Sequence, residues 1–308
     1  MEKEPCIIGK NLTPEDREEL KGWLERIREQ ARQPIEGEFE KTENELKFIE
    51  RVNLYIAEEF EELGLKDKPE VKPEQVHLLP KEIFDEWFPE LGSQACSSGN
   101  RQAIYIDKSA SMGLELPVFK SILHESLHLA SRYKFRKEEG VGAAYRFGYK
   151  VYNPKSDHEH FSGLNEAVID KIAKEIFEKR EKELTDEFGF SENEKKTLFW
   201  YDEYIRPLET IIEKIAAKNG ETEEEAWRRF KKGLFTGEMM HLREVEKTFG
   251  KEALKIFAAL GSGTKNLSKD EVNEKVARYF ETGDSEERQK LAKTILGKGV
   301  RRIKIEFE

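Results

Sequence analysis

Cysteine, basic charge and long apolar runs are all in short supply in this chain. Two cysteines, Cys6 and Cys96, are too few in 308 residues for a disulfide framework. Neither has the spacing of a thiolate metal knuckle, and the pair reads as free thiols of the kind a reducing cytoplasm maintains. No run of 18 apolar residues occurs, so a membrane span is not expected. The opening stretch, MEKEPCIIGKNLTPEDREEL, lacks the apolar segment of a secretory leader, which places the expected location in the cytoplasm. Lys and Arg number 53 against 63 Asp and Glu, for a formal net charge of -10. Phosphate binding needs a concentrated basic surface, so nucleic acid is not an expected partner, and with no apolar span neither is a membrane. The local basic run from Lys179 to Lys182 is broken by acidic residues and reads as a solvated helix face.

What remains is globular in composition. Hydrophobic residues make up 37% and charged residues 38%, with 19 Phe and 9 Tyr to build a core. The length suits one large domain or two smaller ones.

Thr13-Pro14-Glu15-Asp16 is a helix start, and the helix should run to about Arg32. A second helix, from about Thr42 to Leu63, carries Leu46, Ile49, Val52, Ile56 and Phe60 at helical spacing and stops at Gly64. Gln75–Leu79 and Ala103–Ile106 read as strands, with a short helix from Pro80 to Phe88 and a turn at Gly99-Asn100 between them. A helix after Pro117 runs to about Ser131, and Arg132 to Pro154 forms strands or an ordered loop. Helices follow at about 162–187, 193–218, 222–232, 238–259 and 268–293, with Gly261 to Thr264 before the last. Arg301 to Glu308 has the alternation of a terminal strand. The expected class is α+β, in three parts. Residues 1–70 form a helical cap or subdomain, 71–160 a small mixed sheet over a histidine-bearing helix, and 161–308 a mainly helical C-terminal subdomain.

The chain holds only 6 His, and FKSILHESLHLASRY contains two of them. Residues four apart share one face of a helix, so His124 and His128 present two imidazoles to one point. Zinc accepts neutral imidazole nitrogens readily. Glu125, about 100° round the helix, lies beside such an ion, where a carboxylate takes a proton from the attacking water. A catalytic zinc usually has three protein ligands. The residues after His128 lack the glycine and histidine of a metzincin. Glu166 in GLNEAVID is a better third ligand, and Asp170, one turn on, can reach a ligand histidine's second ring nitrogen. Leu164, Val168, Ile172 and Ile176 form the adjacent buried stripe.

HESLH at 124–128 followed by NEAVID at 165–170 resembles the active site of the gluzincins, the thermolysin-like zincin metallopeptidases. The resemblance spans about 50 residues of the chain. It implies His124, His128 and Glu166 as Zn2+ ligands, Glu125 as general base and Asp170 as support for a histidine. It implies a peptide or protein substrate and a Tyr or His donor for the oxyanion. Tyr204 and Tyr201 are the favoured donors, ahead of Arg206, His241, Tyr149, His158 and His160. Each has a plainer reading, the tyrosines as core and His241 as a solvent-exposed side chain. His158 and His160 are expected on a solvent-facing or cleft-rim loop. The family also implies an edge strand beside the metal helix, for which Ala103–Ile106 is the candidate. The alternatives are a metal-free zincin-like scaffold, a zinc amidase acting on a non-peptide amide, and a helical protein whose motifs coincide by chance. The charged terminal helices are compatible with self-capping of the cleft or with an unidentified regulator. Oligomeric state is not encoded in any motif.

Overall fold

Thr13 opens the first helix with a reciprocal pair of bonds. Its Oγ1 accepts the Asp16 N–H at 3.1 Å, and the Asp16 carboxylate accepts the Thr13 N–H at 3.0 Å. The same device recurs at Thr42, Ser191, Thr222 and Ser268, and each such cap is worth about 1 kcal/mol. The computed structural model describes residues 6–9, 12–89, 93–138, 141–153, 158–198, 200–263 and 266–297. The expected strand at Arg301 to Glu308, and Thr264, lie outside them.

The elements run β1 (Cys6–Ile8), α1 (Pro14–Ala31), α2 (Glu43–Glu62), β2 (Val76–Leu79), α3 (Lys81–Trp87), β3 (Ala95–Ser98), β4 (Ala103–Asp107), α4 (Glu115–Ala130), β5 (Tyr133–Glu138), β6 (Val141–Phe147), β7 (Lys150–Asn153) and β8 (His158–His160). Helices follow: α5 (Ser162–Phe188), α6 (Glu192–Thr197), α7 (Asp202–Asn219), α8 (Glu223–Thr236), α9 (Arg243–Phe249), α10 (Ala253–Ala258), α11 (Lys269–Glu281) and α12 (Ser285–Leu296). The class is α+β, with small mixed sheets and a dominant helical C-terminal region. Among the described residues, no helix is long and apolar enough to cross a membrane.

The chain divides into two compact units that interleave in sequence, residues 1–145 with 173–199, and 146–172 with 200–308. In the first unit β2, β4 and β3 form one sheet, with β2 parallel to β4 and β3 antiparallel to it. Leu79, Ala103 and Tyr105 meet Phe84 of α3 on one face. Val76, Leu78, Ile104 and Ile106 alternate onto the other, and α4 packs against β3 and β4. Phe48 of α2, Phe119 of α4 and Phe188 at the end of α5 form an aromatic cluster, with Phe48 centred 5.5 Å and 4.7 Å from the other two. Elsewhere in this unit β1 lies parallel to β5, and α1 covers them through Leu20 and Leu24 against Ile7 and Phe135.

In the second unit β7 pairs antiparallel with the end of β6 and with β8. Helices α7, α8, α9 and α11 pack around Leu208, Ile211, Phe230, Val245 and Val276. The expected stripe of α5 is fully buried from Leu164 through Ile172 in this unit, and Ile176 is buried in the first.

Several expectations need correction. The expected edge strand, Ala103–Ile106, is the centre of its sheet and fully buried; β2 and β3 are the edges. The Ala-Cys-Ser-Ser composition of β3 lacks the β-branched residues that mark strands. His158 to His160 is a strand and not a loop. The expected 193–218 helix is broken between α6 and α7, where the Tyr201 N–H goes to the Asp170 carboxylate at 2.5 Å. The 238–259 helix is broken at Gly250, whose φ of 103 lies outside the helical region, and the 268–293 helix at Thr282–Asp284, where Asp284 caps α12. Leu46 faces water at 38% exposure, although its spacing puts it beside the apolar stripe of α2.

Candidate metal centre

The helix that carries the histidine pair is almost wholly buried, and its own N-cap residue, Leu114, offers no side-chain bond. The cap arrives from elsewhere. Glu194 Oε1 accepts the N–H groups of Glu115 and Leu116 at 3.2 and 3.4 Å, while its Oε2 closes the cap of α6. Burial alone would raise the Glu194 carboxyl, but the donors of Ser191, Leu116 and Glu115 outweigh it and hold it below its ordinary range. A carboxylate also suits the positive end of the helix dipole. At the far end, Tyr133 Oη donates to the His128 carbonyl at 2.8 Å and Ser131 Oγ to the same carbonyl at 2.7 Å, satisfying a terminal acceptor.

Between these two caps α4 brings His124, Glu125 and His128 together. Their ligand atoms all lie within 4.8 Å of one another. The two imidazoles approach through Nε2, 3.2 Å apart, with ring centroids 4.9 Å apart and planes at 65°. A single N–H···N bond accounts for that span. So does a shared metal: two bonds of about 2.0–2.1 Å at a tetrahedral angle put the nitrogens about 3.3 Å apart. His124 and Glu125 are each 6% exposed and His128 is half-buried, so the donor set is largely screened from water. The residues present therefore fit a divalent ion that favours imidazole.

Two groups of the first unit feel the charge of Glu125. Burial pushes the Cys96 thiol on β3 up to about 12, and the charge of Glu125 adds to the rise. Burial also raises the Tyr133 phenol, again with a contribution from Glu125. Among the described residues β3 is an edge strand of its sheet, and it packs against α4. That strand and Tyr133 were not among the candidates drawn from sequence.

Glu166 and Asp170 belong to the second unit, on the first turns of α5. The start of α5 is set by tight docking. Phe161 is buried with a left-handed φ of 60, the Gly163 N–H donates to the Leu260 carbonyl at 3.0 Å, and a Cβ at Gly163 would meet that carbonyl carbon at 2.5 Å. Asn165 Oδ1 accepts the Tyr149 N–H at 2.9 Å. Glu166 is half-buried and Asp170 fully buried. Tyr201 is half-buried, and its ring lies 5.4 Å from that of Tyr204, which is buried. Lys269 holds its Nζ 5.3 Å from the Tyr204 ring centroid. Burial lowers the Lys269 pKa, but Tyr204, Glu203 and Glu166 outweigh it and raise the net value, which places Glu166 and Tyr204 in the field of one cation.

The other candidate donors are engaged elsewhere. Arg206 forks onto Glu281 at 2.5 and 2.7 Å on the surface. Tyr149 and His241 bond each other at 2.8 Å, and Tyr149 Oη also donates to the Phe230 carbonyl at 2.8 Å. His241 is thus no exposed side chain. Burial, with the charges of Arg229 and Arg146, takes its pKa down to about 3, so the ring is neutral. His160 is half-buried on β8, opposite Val151. His77, on β2, has both ring nitrogens 2.6 Å from protein oxygens, of Glu38 and Ala31. It acts as a staple between β2 and the end of α1.

No protein-family model matches the chain, and no curated protein or solved structure matches it. The His124-Glu125-x-x-His128 cluster on a buried helix matches the HExxH zinc-binding motif of the zincin metallopeptidases, and the α4 architecture is that of a zincin-like active-site helix.

Proposed function

We propose that the protein is a zinc-dependent metallopeptidase of the gluzincin type. His124 and His128 of α4 and Glu166 of α5 hold the ion, and Asp170 orients a ligand histidine. The observation that carries this reading is the 3.2 Å approach of the two Nε2 atoms with a Glu125 oxygen beside them. A bound Zn2+ supplies Lewis-acid polarisation of the substrate carbonyl and a more acidic water. Glu125 receives the proton of the attacking water and hands it to the leaving amine. Its burial beside two imidazoles keeps that transfer short and shielded from bulk water. Tyr204 is the proposed donor to the developing oxyanion. The Lys269 cation lies 5.3 Å from the centre of its ring, and a nearby positive charge favours donation from the phenol. The edge of β3 supplies the backbone groups with which an extended peptide pairs, as beta-augmentation requires.

Metal analysis together with Glu125→Gln tests the proposal. The expected result is about one zinc per chain in wild type and in E125Q, with peptide hydrolysis in wild type alone, reduced at least 10²-fold by the substitution. Zinc bound with no peptide cleaved would favour a non-peptide amide substrate or a scaffold. E125Q as active as wild type would refute the mechanism. Glu166→Ala that binds zinc as tightly as wild type would remove Glu166 from the ligand set.

A further inference from the structure

Arg28 of α1 is a buried cation without a partner. It is 6% exposed, and among the described residues its side chain makes no hydrogen bond, ion pair or ring contact. Its Nε is sealed from water with no acceptor, whereas Nη1 and Nη2 are not sealed. The guanidinium is therefore almost wholly buried, with only its Nη atoms not fully sealed.

This is unusual for the chain, in which 63 acidic residues are available. Arg51, Arg180, Arg206, Arg229 and Arg278 each bond a carboxylate. Burying a guanidinium without acceptors is costly, and such a group calls for an acceptor supplied from outside. Burial lowers the Arg28 pKa, and the charges of Tyr133 and Glu25 only partly restore it. Glu25 lies one helical turn away and does not bond to it.

The position is informative. α1 packs on β5, where Tyr133 follows the histidine helix directly. The Tyr133 hydroxyl bonds the His128 carbonyl at 2.8 Å, and its ring lies in the fields of both Glu125 and Arg28. Leu20, Leu24 and Arg28 recur four apart on the buried face of α1, and Tyr133, whose hydroxyl bonds the last turn of the histidine helix, packs against the Leu20–Leu24 cluster on that face. A planar fork with five N–H donors is the side chain best matched to a carboxylate, which it grips through two parallel bonds.

We infer that Arg28 binds a carboxylate of the substrate. The inference rests on the peptidase reading and narrows it to peptides that carry an anionic group close to the scissile bond. That group is the free α-carboxylate of a C-terminal residue or the side chain of an Asp or Glu, and the experiment separates the two.

Two peptide pairs are compared, one with a free or amidated C-terminus and one with Glu or Gln near the cleaved bond. Binding to metal-loaded E125Q is read by fluorescence anisotropy, and kcat/KM is measured with otherwise wild-type enzyme. The expected result is a preference of at least about tenfold for the carboxylate member of one pair. The pair that responds identifies the source. Arg28→Gln should abolish the preference in both readouts, and Arg28→Lys should retain part of it. Zinc content and fold should survive, because R28Q removes an unpaired buried charge. If R28Q does not fold, R28K and competition by succinate against wild type carry the same comparison. Equal binding of both members of both pairs, or a preference that persists in R28Q, overturns the inference. Carboxylate binding that depends on Arg28 without any hydrolysis would refute the peptidase reading and leave the anion site standing.

Discussion

Glu194 caps a helix that starts 79 residues earlier in the chain, its Oε1 accepting the Glu115 N–H at 3.2 Å. One carboxylate thus serves two helix starts, that of α6 by local bonds and that of the histidine helix by a distant one.

Replacing Glu194 by Ala should therefore destabilise the protein by more than a single cap, about 1–2 kcal/mol, measured by urea unfolding. The contribution depends on pH. The folded-state pKa of this carboxyl is depressed, so its stabilisation is complete above the unfolded value of about 4.3 and disappears as pH falls through the lower folded value. The gap between wild type and E194A should narrow below about pH 4. A gap that stays constant down to pH 2 would contradict the cap.

Metal should stabilise the folded chain through His124 and His128. Free zinc at 100 times its Kd contributes about 2.7 kcal/mol if only the folded state binds it. Chelation should lower Tm, added zinc should restore it, and His124→Ala should remove the response. A melting curve insensitive to both chelator and zinc would argue against a metal at this cluster.

His241 predicts a second pH dependence, at a different place in the fold. The neutral, half-buried ring is bonded to Tyr149, with a pKa of about 3, far below that of an exposed imidazole. The unfolded chain takes up the proton first. Stability should be complete above about pH 6.5 and fall toward pH 3, by up to about 1.4 kcal/mol per pH unit from this group. His241→Gln should flatten that slope in the interval between the two pKa values, in denaturation curves collected from pH 7 to pH 4. An unchanged slope would mean that the ring does not titrate in that interval.

Two helical glycines should respond oppositely to alanine. A Cβ on Gly233 of α8 would overlap the Tyr149 hydroxyl and the His241 ring, while one on Gly22 of α1 meets only the end of the Arg26 side chain at 3.6 Å. Gly233→Ala should cost about 1–3 kcal/mol through overpacking, and more if the Tyr149–His241 bond breaks. Gly22→Ala should be neutral or stabilising by up to about 1 kcal/mol, from helix propensity alone. Thermal unfolding of both variants beside wild type decides the matter, and equal Tm values would refute the crowding at Gly233.

The residues alone determined what depends on neighbours a few positions away. The cap at Thr13, the apolar stripes of α2 and α5, and the shared face of His124 and His128 all follow from helical geometry, which repeats within four residues. Tertiary structure decided what depends on partners far away in sequence. β3 became an edge strand because β4 pairs on both sides, although its Ala-Cys-Ser-Ser sequence has no strand signature. The helix expected through Tyr201 broke because a buried aspartate 31 residues earlier took its N–H. His241 lost its charge to burial, and Arg28 was left without an acceptor in a chain rich in carboxylates. Burial, edge pairing and the fate of a charge are set by what the folded chain places nearby, and local periodicity carries no record of that.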